Sequence, residues 1–287
     1  MTNNKTKGIF FIILSAFFFA LMNLFVRLSG DLPPMQKSFF RNLVALAFAV
    51  IVLLRTEEKF QFNHKNLPQL IARATFGTLG ILCNYYAIDH LVLSDASMLN
   101  KLSPFFAILV SYFYLKEKVT PVQISAVIIA FLGALCIIKP GFSSMNSFPA
   151  LIGALGGLGA GTAYTMVRKL SLNGERGPFI VFFFSAFSCL FCLPYLIFAY
   201  HPMTLQQLGF LLLAGLSAAG GQFSITAAYA NAPAREISVF DYSQIIFAAL
   251  FGFLCLQQIP DMLSVVGYLI ICGTSVAMFF YNQKHTS

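Results

Sequence analysis

The residues best suited to chemistry in this sequence are charged side chains embedded in long apolar stretches. Lys101 lies about ten residues into one such stretch, and Asp241 lies inside another. If these stretches cross a bilayer, each charge costs at least about 2.5 to 3.5 kcal/mol to insert unless it has a partner or a wet cavity. Lys101 is too far from either end of its stretch to extend its ammonium to the membrane surface. The opposite charges therefore predict an ion pair between Lys101 and Asp241.

A buried pair of this kind permits two interpretations. Lys101 and Asp241 could line a cavity, neutralise each other in one conformation and separate to receive a substrate in another. They could also form a structural ion pair that fixes helix packing and never contacts a substrate. We expect the cavity. If the protein is coupled to proton movement, we expect Asp241 to be the acid that titrates, since Asp95 and Glu236 lie nearer the ends of their stretches.

Further polar and aromatic residues in other stretches could complete the same cavity. Arg41 could bind a carboxylate or phosphate through its guanidinium fork, or it could extend to the lipid headgroups. The remaining candidates supply hydrogen bonds or aromatic faces, to a substrate or between helices: Asn100, Asn84, Tyr85, Tyr164, Gln222 and Tyr242. Two cations against one anion favour zwitterions or organic anions as ligands. Cationic drugs such as quaternary ammonium compounds are the alternative.

The elements that position these residues are predicted to be membrane helices. Of 287 residues, 58% are hydrophobic and only 10% are charged, and the mean hydropathy is +0.79. A water-soluble fold of this length could not bury so much apolar surface. Ten apolar runs each have about 18 to 24 residues, enough to cross a bilayer as a helix. They lie near 8–29, 36–54, 67–88, 92–115, 121–138, 148–169, 178–199, 205–229, 235–256 and 261–281.

The predicted fold class is therefore an all-α integral membrane protein with ten transmembrane helices. The first run is too long for a signal peptide and lacks a cleavage site, so we expect it to be retained. Basic residues predict the orientation, because cytoplasmic loops are enriched in Lys and Arg. Twelve would lie on the side of the N-terminus and three (Arg27, Lys37 and Lys139) on the other. We expect a multi-pass protein of the cell membrane with both termini in the cytoplasm.

The two halves of the chain resemble each other in one ungapped register. When the sequence is aligned with itself so that Val26-Arg27 matches Val167-Arg168, Phe106-Ala107 also matches Phe247-Ala248. The same register, called the repeat register below, places Asn100 on Asp241. We predict two five-helix repeats, at 1–141 and 142–287. A unit with an odd number of spans inserts its second copy upside down, so the repeats are expected to be inverted.

One part of the first half resembles a known family. Ser103-Pro104-Phe105-Phe106-Ala107, the turn Leu115-Lys116-Glu117-Lys118-Val119-Thr120, Gly133 and Lys139-Pro140 are similar to the signature of EamA-type drug/metabolite transporters. The second half departs from it, with Leu256-Gln257-Gln258 at the turn and Ile245 in place of Pro104. The resemblance implies a secondary, alternating-access carrier for small metabolites, often an exporter, with a central cavity between the two halves.

Other classes of protein fit the sequence less well. The four histidines are scattered, and no HExxH, paired acidic or Walker-type motif is present, so we predict neither an enzyme nor a metal site or cofactor. The loops are too short to hold a channel filter. The net charge of +8 is assigned to cytoplasmic loops rather than to nucleic-acid binding. The expected partners are a small-molecule substrate and the lipid bilayer, with proton coupling possible and a monomer or homodimer as the oligomeric state.

Helix packing is predicted at one glycine-rich segment. Gly153, Gly157 and Gly161 recur at four-residue spacing, with Gly156 and Gly159 beside them. Residues at this spacing share one face of a helix, and without side chains they allow a second backbone to approach closely. We expect a close helix contact along 148–169.

Overall fold

A computed structural model describes residues 2–116, 120–138, 144–231 and 238–285. The acidic turn at Glu117-Lys118, the Lys139-Pro140 pair and Glu236 lie outside the described residues, as do the side chains of Pro104 and Arg168.

Within the described ranges every regular element is a helix. The α-helices are α1 (Thr2–Leu28), α2 (Pro34–Leu54), α3 (Leu67–His90), α4 (Leu93–Asn100), α5 (Ser103–Val110), α6 (Pro121–Ile138), α7 (Ser144–Leu172), α8 (Gly177–Ala199), α9 (Leu205–Asn231), α10 (Ser243–Leu256) and α11 (Met262–His285). Short 3-10 helices occur at His64–Asn66 and Ser238–Tyr242, and a π-helix at Ser111–Leu115 follows α5.

Several of these helices are long and apolar enough to cross a membrane. Six candidate spans lie at Thr6–Leu28, Pro34–Leu54, Phe148–Val167, Gly177–Ala199, Leu205–Ile225 and Met262–Tyr281. Pro121–Ile137 and Phe240–Leu256 are shorter apolar helices. The chain is therefore a multi-pass, all-helical membrane protein.

The expectation of one continuous helix over 92–115 is wrong. The helix breaks at Lys101-Leu102, between α4 and α5. A proline has no N–H to donate and is disfavoured inside a helix, so a proline at position 104, in the first turn of α5, disfavours an uninterrupted helix there. The spacing of Ser97, Asn100, Lys101 and Pro104 would place them on one face of a continuous helix, and the break separates them. Instead, Ser97 lies in the helix packing, where its Oγ accepts a bond of 3.3 Å from Asn23 Nδ2.

The described part of the predicted ninth span does not begin as an α-helix. Its first described residues form the 3-10 helix Ser238–Tyr242, and α10 begins only at Ser243. Asp241 thus lies just before an α-helix, and Lys101 lies just after one. In the repeat register, Lys101 corresponds to Tyr242, the last residue of this 3-10 helix.

The helices of the two halves interleave. α1 packs along α9, α3 along α7, α2 along α8, and α6 along α11, while α4 contacts α10. Each of these contacts joins a helix from the first half of the chain to one from the second. A cavity between the halves is therefore surrounded by side chains from both.

The predicted close contact along the glycine-rich segment is confirmed in α7. A Cβ on Gly159 would lie 2.8 Å from Gly80 Cα in α3, and one on Gly161 would lie 2.5 Å from Ser103 O. A Cβ on Gly157 would lie 2.7 Å from Leu99 O. Real side chains do not reach such distances, so glycine is needed at these positions. They hold the interrupted backbone between α4 and α5 directly against α7.

Two of the three cations assigned to the less basic side make internal contacts. Lys37 Nζ lies 2.5 Å from Asp89 Oδ1, with the lysine side chain fully buried. Arg27 Nη1 donates a bond of 2.5 Å to Ile88 O at the end of α3. These cations therefore join the ends of α1, α2 and α3.

Candidate functional site

A cavity of about 110 Å³ lies between the two halves of the chain. Since one water occupies about 30 Å³ in the liquid, it has room for a few waters or a small organic group. Its lining comes from helices of both halves, and it includes Lys101 at the break after α4 and Asp241 in the 3-10 helix before α10. The lining residues are Phe19, Met22, Asn23, Arg41, Arg73, Gly77, Gly80, Ile81, Asn84, Tyr85, Asn100, Lys101, Ala160, Tyr164, Phe184, Gln222, Ile225, Asp241 and Gln244.

The predicted contact between Lys101 and Asp241 is present at this cavity. Lys101 Nζ lies 2.5 Å from Asp241 Oδ2, with 9% and 19% of the two side chains exposed. Asp241 Oδ1 is buried and has no hydrogen-bond partner among the described residues. The pair is thus formed through one carboxylate oxygen, while the other is available to a ligand.

Tyr242 contacts the backbone of Lys101 beside this pair. Its hydroxyl donates a bond of 3.2 Å to Lys101 O, a carbonyl at the interruption between α4 and α5. Tyr242 is not among the residues that line the cavity in this structure, so its role in substrate binding stays a prediction.

Arg41 faces the cavity and not the headgroups. It is 4% exposed, and its Nη1 donates a bond of 2.6 Å to Asn42 Oδ1. Asn42 is held in turn by Ser38 and by Ser188 Oγ of α8, at 3.0 Å from the latter. Arg41 Nε has no hydrogen-bond partner among the described residues. The guanidinium is therefore fixed on one edge and free on another.

Arg73 is a second cavity arginine that the sequence pattern did not single out. It is 9% exposed, and its Cζ lies 4.1 Å from the centre of the Phe184 ring, a cation–π contact. Its Nε has no hydrogen-bond partner among the described residues. Gly77, one turn further along α3, makes space for the side chain, because a Cβ there would overlap Arg73 Nη1. The sequence feature that could have indicated this position is the spacing Arg73-x-x-x-Gly77, which places a glycine one helical turn from the arginine.

The other predicted residues lie in the cavity wall. Asn84, Tyr85, Asn100, Tyr164 and Gln222 all line it. Asn84 Oδ1 and Tyr85 OH are buried without a hydrogen-bond partner in the described part of the chain. Gln244, which was not predicted, also lines the cavity and is buried.

The lining is more cationic than the sequence predicts. Arg41, Arg73 and Lys101 face a single carboxylate, Asp241, which leaves two positive charges in excess among the lining side chains. Several of the lining residues also carry polar atoms that have no hydrogen-bond partner in the described part of the chain. This arrangement can bind a small polar molecule that carries negative charge.

No group of three or more His, Cys, Asp or Glu that could hold a metal ion occurs within the described residues. The lining itself contributes one carboxylate and neither histidine nor cysteine. What this site offers a ligand is hydrogen bonding, charge and aromatic surface.

Comparisons with known proteins identify the family of the chain. The model of the EamA-like transporter family matches residues 6–139 and again residues 147–280. The pseudopaline exporter CntI of Pseudomonas aeruginosa is 33% identical over 274 residues, covering 95% of both chains. Solute carrier family 35 member G1 of Homo sapiens is 25% identical over 289 residues, covering 94% of this chain and 78% of that protein.

Two further similarities concern function and fold. A riboflavin transporter of Brucella anthropi is 25% identical over 272 residues, covering 90% of this chain and 93% of that one. A crystal structure with 14% sequence identity superposes with a TM-score of 0.67 over 98% of this chain and 99% of the other. The named relatives are transporters rather than enzymes, which supports a membrane transporter of small molecules. With both halves matched, the chain belongs to the EamA-like transporter family.

Proposed function

We propose that the protein is a secondary transporter that exports or exchanges a small metabolite by alternating access. Its ten transmembrane helices would form two inverted five-helix repeats, at 1–141 and 142–287, with the substrate bound in the cavity between them. The observation that carries this proposal is the Lys101–Asp241 pair, which lies in that cavity where α4 ends in the first half and where a 3-10 helix precedes α10 in the second. Interrupted helices at a repeat interface are a frequent way to build a substrate site in transporters.

Helix packing supports the inverted repeat. In the repeat register, α1 corresponds to α7, and α3 corresponds to α9. The packing of α1 along α9 therefore has a counterpart in the packing of α7 along α3. A twofold relation between the halves accounts for this duplication, because it exchanges the two pairs.

Contacts between the halves at opposite ends of α2 support alternating access. Beyond its C-terminal end, Asn66 Nδ2 donates a bond of 3.0 Å to Glu175 Oε2. Before its N-terminal end, Gln207 Nε2 donates a bond of 3.1 Å to Ser29 O. Asn66 and Gln207 correspond in the repeat register. Opening one end requires breaking one of these contacts, while the other keeps the opposite end closed.

The cavity charge supports amino-acid-like zwitterions or organic anions as substrates. Two excess positive charges disfavour quaternary ammonium compounds, although Tyr85, Tyr164 and Phe184 supply aromatic faces. Among the acids, Asp241 is the best candidate for proton coupling. Asp95 instead accepts a bond of 2.5 Å from Tyr268 OH and does not line the cavity.

The first experiment is a ligand screen on purified protein in detergent. Amino acids, nucleosides, vitamins including riboflavin, organic anions, organic cations and pseudopaline are tested for thermal stabilisation, since a ligand at 100 times its Kd adds about 2.7 kcal/mol. Hits are repeated on Lys101→Ala and Asp241→Ala, and then tested for counterflow in proteoliposomes. We expect an anion or zwitterion whose effect is lost in both variants. A hit that is indifferent to both substitutions would mean that the cavity is not the binding site.

Alternating access is tested with Asn66→Ala and Gln207→Ala. Each weakens the contact at one end, so the two variants should favour opposite conformations. To measure access to the cavity, Asn84→Cys is introduced into a cysteine-free version of the protein. The rate at which a membrane-impermeant thiol reagent labels this cysteine is then compared between the two variants. We expect one variant to raise and the other to lower this rate from a given side. Equal changes in both would contradict alternating access through these contacts.

A further inference from the structure

Arg41 and Arg73 form an arrangement that the proposed transport function alone does not require. Both side chains line the same cavity, one from α2 and one from α3. Lys101 is matched by Asp241, whereas no carboxylate among the lining residues matches either arginine. Two buried positive charges are thus left uncompensated at one site.

Uncompensated buried charges are costly, so their retention points to a ligand that supplies the opposite charge. Both side chains are at least nine-tenths buried, and each has an Nε without a hydrogen-bond partner among the described residues. A guanidinium binds a carboxylate through two parallel N–H groups, which gives both strength and a fixed orientation. The stacking of Arg73 on Phe184 fixes the plane of one such fork.

We infer that Arg41 and Arg73 together select a substrate with two carboxylate groups, so that a small organic dianion neutralises the cavity. This inference rests on the proposed function and names its substrate class. The Lys101–Asp241 pair would then remain intact beside the bound dianion, and Asp241 Oδ1 would be open to a hydroxyl or ammonium donor on it. A zwitterion with one carboxylate would leave one arginine unmatched.

The test uses matched dicarboxylates and their amides. Malonate, succinate, glutarate and adipate are compared with succinamate, succinamide and 1,4-diaminobutane, by thermal stabilisation of the full chain in detergent. We expect at least one dicarboxylate to bind, and succinamate and succinamide to bind at least about tenfold more weakly than succinate or its best homologue. The inference is wrong if no dicarboxylate binds, or if removing one carboxylate leaves affinity unchanged.

Variants separate binding from folding. Arg73→Gln, Arg73→Lys and Arg41→Gln are each compared with Arg55→Gln, which removes the same charge from the exposed end of α2. We expect Arg73→Gln to raise the melting temperature of the ligand-free protein, because it removes an unmatched buried charge, and to abolish the shift caused by the dicarboxylate. Arg73→Lys keeps the positive charge but removes the guanidinium fork, so it should lose most of the affinity for the dicarboxylate. If Arg73 is merely structural, its replacement lowers ligand-free stability and leaves the dicarboxylate preference intact.

A transport assay distinguishes this inference from the function on which it depends. Counterflow of the bound dicarboxylate in proteoliposomes should be lost in Arg73→Gln and kept in Arg55→Gln. If a monoanion, neutral compound or cation from the wider screen is transported equally well by Arg73→Gln, transport stands and the dianion site is refuted. If no compound that binds is transported, the proposed transport function itself fails.

Discussion

Breaking the Lys101–Asp241 ion pair should cost measurable stability, and restoring charge balance should recover it. The test is a double-mutant cycle with Lys101→Met, Asp241→Asn and the double variant. Removing one partner of a fully buried pair costs about 3 to 5 kcal/mol, whereas exposed pairs contribute about 0 to 1 kcal/mol. Because 9% and 19% of these two side chains are exposed at a polar cavity, we expect a coupling free energy of about 1 to 3 kcal/mol.

The cycle is measured by unfolding the purified variants in detergent, alongside transport by each variant in proteoliposomes. A second ion pair provides the control: Lys37 and Asp89 are also 2.5 Å apart, but neither lines the cavity. If the first pair takes part in transport, its double variant should be stable yet inactive. The double variant Lys37→Met with Asp89→Asn should be stable and active.

Two results would refute this reasoning. Additive effects of Lys101→Met and Asp241→Asn, within about 0.5 kcal/mol, would mean that the close approach carries no coupling. Full transport by their stable double variant would mean that the pair only fixes helix packing, as the alternative interpretation holds.

Three further substitutions test separate parts of the site. Asp241→Asn should abolish concentrative transport under an imposed pH gradient while counterflow persists, and loss of both would assign Asp241 to substrate binding instead. Gly77→Ala should displace the arginine side chain that packs over it and weaken dicarboxylate binding by about tenfold, or ~1.4 kcal/mol, whereas Gly209→Ala, with open space around it, should leave binding unchanged. Gly161→Ala should destabilise the protein by about 1 to 3 kcal/mol in unfolding experiments, and the matched Gly273→Ala should not.

The sequence was informative where a physical cost is visible without knowing the fold. A lysine deep in an apolar stretch needs a counter-charge, and the repeat register placed Asp241 on Asn100, next to Lys101, so their contact could be predicted. The glycine spacing of α7 likewise predicts close helix packing whatever helix approaches it. Both predictions depend on local chemistry and periodicity, which a single sequence contains.

Other features depend on contacts that only the folded chain creates. Arg73 lies near the start of α3, where an arginine can ordinarily extend to the membrane surface, and its inward direction depends on Phe184 of α8. At the break after α4, the Lys101 carbonyl accepts a hydrogen bond from Tyr242 OH, a residue distant in the sequence.

The divergence between the repeats explains how a duplicated structure obtains a polar site. In the repeat register, Arg41 corresponds to Phe182 and Arg73 to Ala214. Both unmatched cations therefore belong to the first half, while Asp241 belongs to the second. If the halves move against each other, the distance between the cations and this carboxylate must change. As the halves close, Asp241 would repel a dianion bound to the first half unless Lys101 or a proton neutralises the Asp241 carboxylate. The charge of the substrate would thereby be coupled to the conformation of the carrier.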